Sequence, residues 1–283
     1  MERSSFATEV PGGSLCGWLR GGEGPPVLLL HGGPGMSFVY LDDLAEEIGG
    51  GFRVAAYQQR GVPPSTLAGP FAVAREVADT VAVLDALGWE RAWVAGHSWG
   101  GHLLLHLAVA APERLHGGLA VEPLGGTGDG GLAAFEAEMT RRIPEADRER
   151  AEALDAQALR GEGDAAAALE SMRLAWPAYF ASPDHVMPFR DTEASVPAYA
   201  GVFASLQEEL PRLAAGLAGV TVPLGFVAGD ASPMPFDQAA GATARAIPGA
   251  WLEVVRGAGH FPWFERPGCV RSALQRLTAA AGR

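Results

Sequence analysis

Six residues constrain this chain more than any others: Gly96-His97-Ser98-Trp99-Gly100-Gly101. An apolar, β-branched run (91–95) precedes them and a leucine-rich helical run (102–111) follows, so the order reads strand, tight turn, helix. The glycines at 96 and 100 leave room for a sharp turn packed closely against its surroundings. Ser98 is thereby pushed above a sheet edge at a helix N-terminus, where unpaired backbone N–H groups favour developing negative charge. This is the context that the G-x-S-x-G nucleophile elbow requires, and Ser98 is the candidate nucleophile.

The chain of 283 residues, 48% of them hydrophobic, is long enough to bury a sizeable core. Its formal net charge of −12 comes from 33 acidic and 21 basic residues. With no basic stripe interleaved with aromatics, nucleic acid and anionic membranes are excluded as expected partners, leaving a small molecule or short peptide. No run is apolar for long enough to span a bilayer, and the first residues lack the apolar core of a secretion signal, so a cytoplasmic location is expected. Cys16 and Cys269 lie far apart without metal-ligand spacing and read as structural thiols; no metal or cofactor is expected.

Taken in order, residues 4–10 and 14–20 alternate around Pro11-Gly12-Gly13 and predict an opening hairpin. Residues 25–30 are wholly apolar, as in a strand buried on both faces, and lead into His31-Gly32-Gly33-Pro34-Gly35. A loop of that composition can turn its N–H groups into a cavity and stabilise an oxyanion. A helix over 38–48, a strand over 52–57 and a helix over 73–87 come next, before the elbow strand. Residues 115–121 form a further apolar strand ending at Glu122-Pro123.

From Leu124 the texture changes. Helical patterns cover 135–160, 165–175 and 198–217, with an aromatic segment Trp176-Pro177-Ala178-Tyr179-Phe180 between them. Strand patterns resume at 223–228 and 250–255, and the helix of 269–281 closes the chain. Repeated βα units predict a mostly parallel sheet flanked by helices, with ligands at the strands' C-terminal ends. The predicted organisation is a core of 1–123 and 218–283, with 124–217 inserted as a helical cap.

His260 follows the last strand in Gly257-Ala258-Gly259-His260, so the order is serine, then histidine. His260 is the candidate general base. Together, HGGPG, Gln59-Arg60-Gly61, G-H-S-W-G-G and G-x-G-H resemble the α/β-hydrolase superfamily, and especially its proline iminopeptidase-like branch. The resemblance covers both halves of the core. It implies a Ser-His-acid triad, an acyl-enzyme, and oxyanion donors at the backbone N–H groups of Gly33 and Trp99.

Two departures stand out. The branch's usual D-Q-R-G turn has Gln58 in place of aspartate. The acid after the seventh strand, three residues beyond a glycine in the branch, is replaced by Ser232, with Asp230 displaced by two. A carboxylate is still required to hold the histidine tautomer. Glu122 stands where some haloalkane dehalogenases and lipases of the superfamily carry their acid and is the preferred candidate, with Asp230 the alternative.

In iminopeptidases, cap glutamates bind the substrate's free amine; Glu136, Glu138, Glu193, Glu208 and Glu209 are available here without an assignment among them. Phe38, Trp176, Tyr179, Phe180 and Phe261 are candidates for lining an apolar substrate pocket. Dehalogenases and epoxide hydrolases of this fold use an aspartate nucleophile, so Ser98 favours acyl transfer. Three readings compete: iminopeptidase-like activity on small peptides or amides; a carboxylesterase, lactonase or thioesterase; and a triad-retaining ligand-binding protein.

Overall fold

The computed structural model describes residues 3–190 and 193–281. Among the described residues eight strands form: β1 (Arg3–Val10), β2 (Gly13–Arg20), β3 (Pro26–Leu30), β4 (Arg53–Tyr57), β5 (Ala92–His97), β6 (Leu115–Val121), β7 (Leu224–Gly229) and β8 (Trp251–Val255). They make one sheet in the order β1-β2-β4-β3-β5-β6-β7-β8. The hairpin β1-β2 is antiparallel, with Val10 opposite Gly13, and β2 is antiparallel to β4. Every other pairing is parallel.

Parallel strands need cover on both faces, which is why β5 and β7 are buried at every position and read as continuous apolar runs. Helices supply that cover. On one side lie α2 (Val73–Ala86), α3 (Trp99–Ala110) and α8 (Ala242–Ala246); on the other lie α1 (Leu41–Ile48) and the closing helix α10 (Cys269–Ala281). α9 (Pro262–Glu265) is a single short turn before α10.

Between the neighbouring strands β6 and β7 the chain leaves the sheet for α4 (Leu132–Arg142), α5 (Glu145–Leu159), α6 (Ala165–Ala175) and α7 (Val196–Gly216). Among the described residues this excursion adds no strand to the sheet, only an isolated bridge between Met36 and Ala194. α5 packs against α6 and α7, and α7 reaches down to α2 and α3.

Two predicted helices are corrected. The helix expected over 38–48 starts at Leu41; ahead of it the chain makes tighter turns, with Leu41 N–H on Phe38 O at 2.9 Å and Asp42 N–H on Val39 O at 3.3 Å. The helix expected over 135–160 is two, since Pro144 has no N–H to continue the first and instead caps the second. Cys16 and Cys269 are free thiols. Among the described residues no helix is long and apolar enough to cross a membrane.

Candidate active site

Ser98 sits between β5 and α3 with φ 54° and ψ −119°, a conformation that costs an L-residue about 1–3 kcal/mol and persists only where the surroundings enforce it. They do so here. A Cβ on Gly96 would strike the Gly100 carbonyl, and one on Gly100 would strike that of Leu30. The Ser98 N–H donates to Val121 O at 2.9 Å, and its carbonyl accepts from Gly101 and His102 at 3.0 and 3.1 Å. The turn is therefore pinned to β6 on one side and to the first turn of α3 on the other.

Glu122 lies one residue beyond β6, also at positive φ (51°), with its N–H on Val227 O at 2.8 Å. Its side chain is fully buried, at 0% exposure. Oε1 accepts the Gly229 N–H, while Oε2 accepts the Ser232 hydroxyl at 2.6 Å and lies 3.3 Å from His260 Nδ1. Burial works against charge on either partner, raising the Glu122 carboxyl above and lowering the His260 imidazole below their ordinary values. The Ser232 and Gly229 donors, with the positive Arg142, pull Glu122 back down. Asp230 points elsewhere: its Oδ1 accepts the Gly257 N–H at 2.6 Å at the surface.

The glycine loop lies against the elbow. A Cβ on Gly32 would come within 2.8 Å of Ser98 Cβ, and Gly33 follows at φ 62° with its carbonyl tied to Met36 N at 2.8 Å. Among the described residues the Gly33 N–H has no hydrogen-bond acceptor, and Trp99 opens α3, where amides lack an intrahelical partner. His31 donates Nδ1–H to Gly32 O at 2.9 Å, so its Nε2 accepts from Gln59 N at 3.1 Å and from the Gln58 amide at 3.3 Å. Burial pushes His31 down to about 4, keeping that neutral form.

Gln58 and Gln59 are therefore braces. Gln58 Nε2 also donates to Met36 O at 3.0 Å, and Gln59 links His31 O (3.0 Å) to the Trp99 indole (2.8 Å). The next residue, Arg60, makes a buried two-pronged pair with Asp79 at 2.6 and 2.8 Å. The sequence singled out neither Tyr40 nor His97 beyond its place in the elbow motif. Gly32 N–H donates to Tyr40 OH at 2.5 Å and Tyr40 OH to His97 Nδ1 at 2.8 Å, while His97 Nε2–H donates to His260 O at 2.9 Å. Glycine loop, elbow and histidine loop are thus joined in one hydrogen-bonded chain.

The aromatic candidates divide. Tyr179 is half-buried, with its ring 5.2 Å from that of His260 and its carbonyl on the His260 N–H at 2.8 Å. Trp176 contacts Tyr179 and Phe261 at 6.0 and 5.0 Å, and its indole donates to Met187 O. Phe180 and Phe261 stack at 5.3 Å, and both, like Phe38, are buried in the α1–α10 side of the core. Phe135, on α4, was not singled out from sequence, yet its ring lies 6.3 Å from His260.

Of the candidate glutamates, Glu138 is tied to Arg141 and Arg142 and held down to about 2. Glu136 interacts with Asp155, and each carboxyl is raised mainly by desolvation. Asp155 accepts the Tyr199 hydroxyl at 2.9 Å, and its charge also reaches Tyr179. Glu193 lines a separate cleft of about 360 Å³ together with Phe71, Asp164 and Ser195.

Residues 25–267 match the family described as alpha/beta hydrolase fold, and the chain belongs to it. Over 114 residues it is 35% identical to epoxide hydrolase B of Mycobacterium tuberculosis, covering 39% of this chain and 32% of that protein. Over 90 residues it is 40% identical to the putative carbamate hydrolase RutD of a Caulobacter species (strain K31), covering 31% and 34%. The chain thus spans about a third of the length of these curated relatives.

Among solved structures, an alpha/beta fold family hydrolase from Bacillus anthracis superposes with a TM-score of 0.72 at 18% identity, over 97% of this chain and 99% of that one. The enol-lactonase of Burkholderia xenovorans gives 0.68 at 18%, over 97% and 100%. At such identities these likenesses speak for the fold alone.

Proposed function

We propose that this protein is a serine hydrolase that cleaves small acyl compounds through an acyl-enzyme, with Ser98 as nucleophile, His260 as general base and Glu122 as the acid behind it. The observation that carries this reading is the 3.3 Å approach of Glu122 Oε2 to His260 Nδ1, on a histidine loop bonded to the residue before Ser98. An ionised Glu122 accepts from Nδ1–H and leaves Nε2 free to take the Ser98 proton.

Oγ then attacks the substrate carbonyl, the oxyanion forms against the Gly33 and Trp99 amides, and His260 returns its proton to the leaving group. Water repeats the sequence and releases the acid. Epoxide opening, the activity in one relative's name, uses an aspartate at the elbow in this fold; serine there supports acyl transfer.

For the substrate, the Glu136–Asp155 carboxylates beside Tyr179 and Tyr199 support a free amine, as in iminopeptidase-like cleavage of an aminoacyl compound. The Phe135 and Tyr179 rings beside His260, with Trp176 against Tyr179, favour a second reading, hydrolysis of an uncharged ester or lactone. Turnover of prolyl-naphthylamide and of p-nitrophenyl butyrate by wild type and Ser98→Ala separates the two. A wild-type protein that turns over neither and is not labelled at Ser98 by a fluorophosphonate would be a ligand-binding protein, and the hydrolase reading would fall.

A further inference from the structure

The carboxyl of Glu122 has two protein donors besides the histidine, and one is a side chain at the position where the resembled branch carries its acid. Ser232 is 9% exposed, and its Oγ accepts the Met234 N–H at 3.1 Å. That bond occupies the oxygen and turns the hydroxyl proton toward Glu122 Oε2, 2.6 Å away. On the backbone side, the loop bearing Ser232 is clasped from α4: Arg142 Nη1 donates to Ala231 O at 2.8 Å and Nη2 to Ser232 O at 3.3 Å.

We propose that Ser232 is a positioning residue that keeps Glu122 ionised and oriented toward His260, and that Arg142 holds it there, so that the helices inserted between β6 and β7 act on the Glu122–His260 pair. This rests on the serine-hydrolase reading above. The physical need is specific. A fully buried carboxyl without donors retains its proton. A protonated Glu122 would donate to Nδ1 and leave the proton on Nε2, the tautomer that cannot accept from Ser98. Two donors on the carboxylate oppose that state, and only the Ser232 one can be removed by mutation without altering the backbone.

Other charged and titratable groups also face the pair. Tyr179, from the segment after α6, has its ring 5.2 Å from that of His260, and burial pushes its phenol well above the ordinary range, so it stays neutral. Arg142, from α4, is positive, with Glu138 on its Nε at 2.6 Å. His97, from β5, has its ring 4.9 Å from His260, and burial keeps it neutral. Asp230, on the same loop as Ser232, is turned to Gly257 N.

The test is the pH profile of kcat/KM for p-nitrophenyl butyrate in wild type, Ser232→Ala, Ser232→Thr and Arg142→Gln. Loss of a hydrogen bond to a charged group corresponds to a displacement of the acidic limb by about one to two pH units. Ser232→Ala is expected to move that limb upward by this amount with KM nearly unchanged. Ser232→Thr, which keeps the hydroxyl, should restore the wild-type limb, and Arg142→Gln should move it the same way by less.

An alanine variant whose limb coincides with wild type, or whose activity falls equally at every pH, overturns the proposal. If Ser232→Ala does not fold, the Arg142→Gln profile decides, and an unmoved limb there overturns it too. Fluorophosphonate labelling of wild-type Ser98 is read separately: failure to label defeats the hydrolase reading, whereas labelling with unmoved limbs defeats only the role of Ser232.

Discussion

His97 Nε2–H donates to the carbonyl oxygen of His260 at 2.9 Å, so the residue before the candidate nucleophile carries the loop of the candidate base. Its other nitrogen accepts from Tyr40, which itself accepts from Gly32. Replacing His97 by Phe keeps an aromatic side chain but removes both hydrogen bonds and leaves the buried His260 carbonyl without its donor. An unmet buried polar group costs about 1–3 kcal/mol. We expect His97→Phe to lower stability by at least that amount in urea unfolding, and to slow fluorophosphonate labelling of Ser98 even under conditions where the variant is fully folded.

Glu122 and Asp230 make opposite predictions. Glu122 faces His260 from full burial, whereas Asp230 holds a surface turn through Gly257. Glu122→Gln should reduce kcat by about 10²–10⁴-fold, since an amide cannot stabilise the imidazolium or hold the right tautomer. Asp230→Asn should leave kcat within about twofold, as surface substitutions mostly do. Equal losses in ester turnover would remove Glu122 from the role assigned to it.

The elbow tolerates no side chain at Gly100. The added Cβ of Gly100→Ala would meet the backbone carbonyls of Leu30 and His31, neither of which can swing aside as a flexible side chain does. Overpacking of this kind costs about 1–3 kcal/mol or more. The expected result is a lowered Tm together with loss of Ser98 labelling, while Gly88→Ala, where no atom lies near the new Cβ, strains only its own positive φ.

Glu76 stores a pH dependence away from the site. Its carboxyl is buried on α2 beside the Arg60–Asp79 pair, with Oε2 unpartnered, and burial pushes it from the ordinary 4.5 up to about 8. The folded protein therefore binds this proton more tightly than the unfolded chain. The stabilisation is fully present below pH 4.5 and is lost as pH rises to about 8. Glu76→Gln, neutral throughout, should gain on wild type by up to about 1.4 kcal/mol per pH unit across that window. Urea unfolding at pH 5, 6.5 and 8 reads the difference, and parallel curves would show that Glu76 ionises freely.

The most local features were the most legible. The opening hairpin, the buried strands and the glycine turn around Ser98 follow from alternation, from unbroken apolar runs and from backbone space, all of which a short stretch of residues encodes. The helix ends were less so: α1 begins only at Leu41, after i→i−3 turn bonds from Leu41 and Asp42 to Phe38 and Val39 that the apolar periodicity does not mark. Gln58 itself read as a departure from a motif, and its role as a brace appears only when Phe38, Met36 and His31 surround it.

By itself, the amino-acid sequence determined the fold family, the strained turn at Ser98 and the two competing carboxylates, since each depends on residue types at short spacing. Which carboxylate faces His260, which aromatic rings reach it, and that Ser232, Arg142, Tyr40 and His97 bind the parts together were decided by the tertiary structure alone. The reason is physical: hydrogen bonds between residues 122, 232 and 260 form only after β6, β7 and the loop beyond β8 lie side by side, and no periodicity along the chain records that meeting.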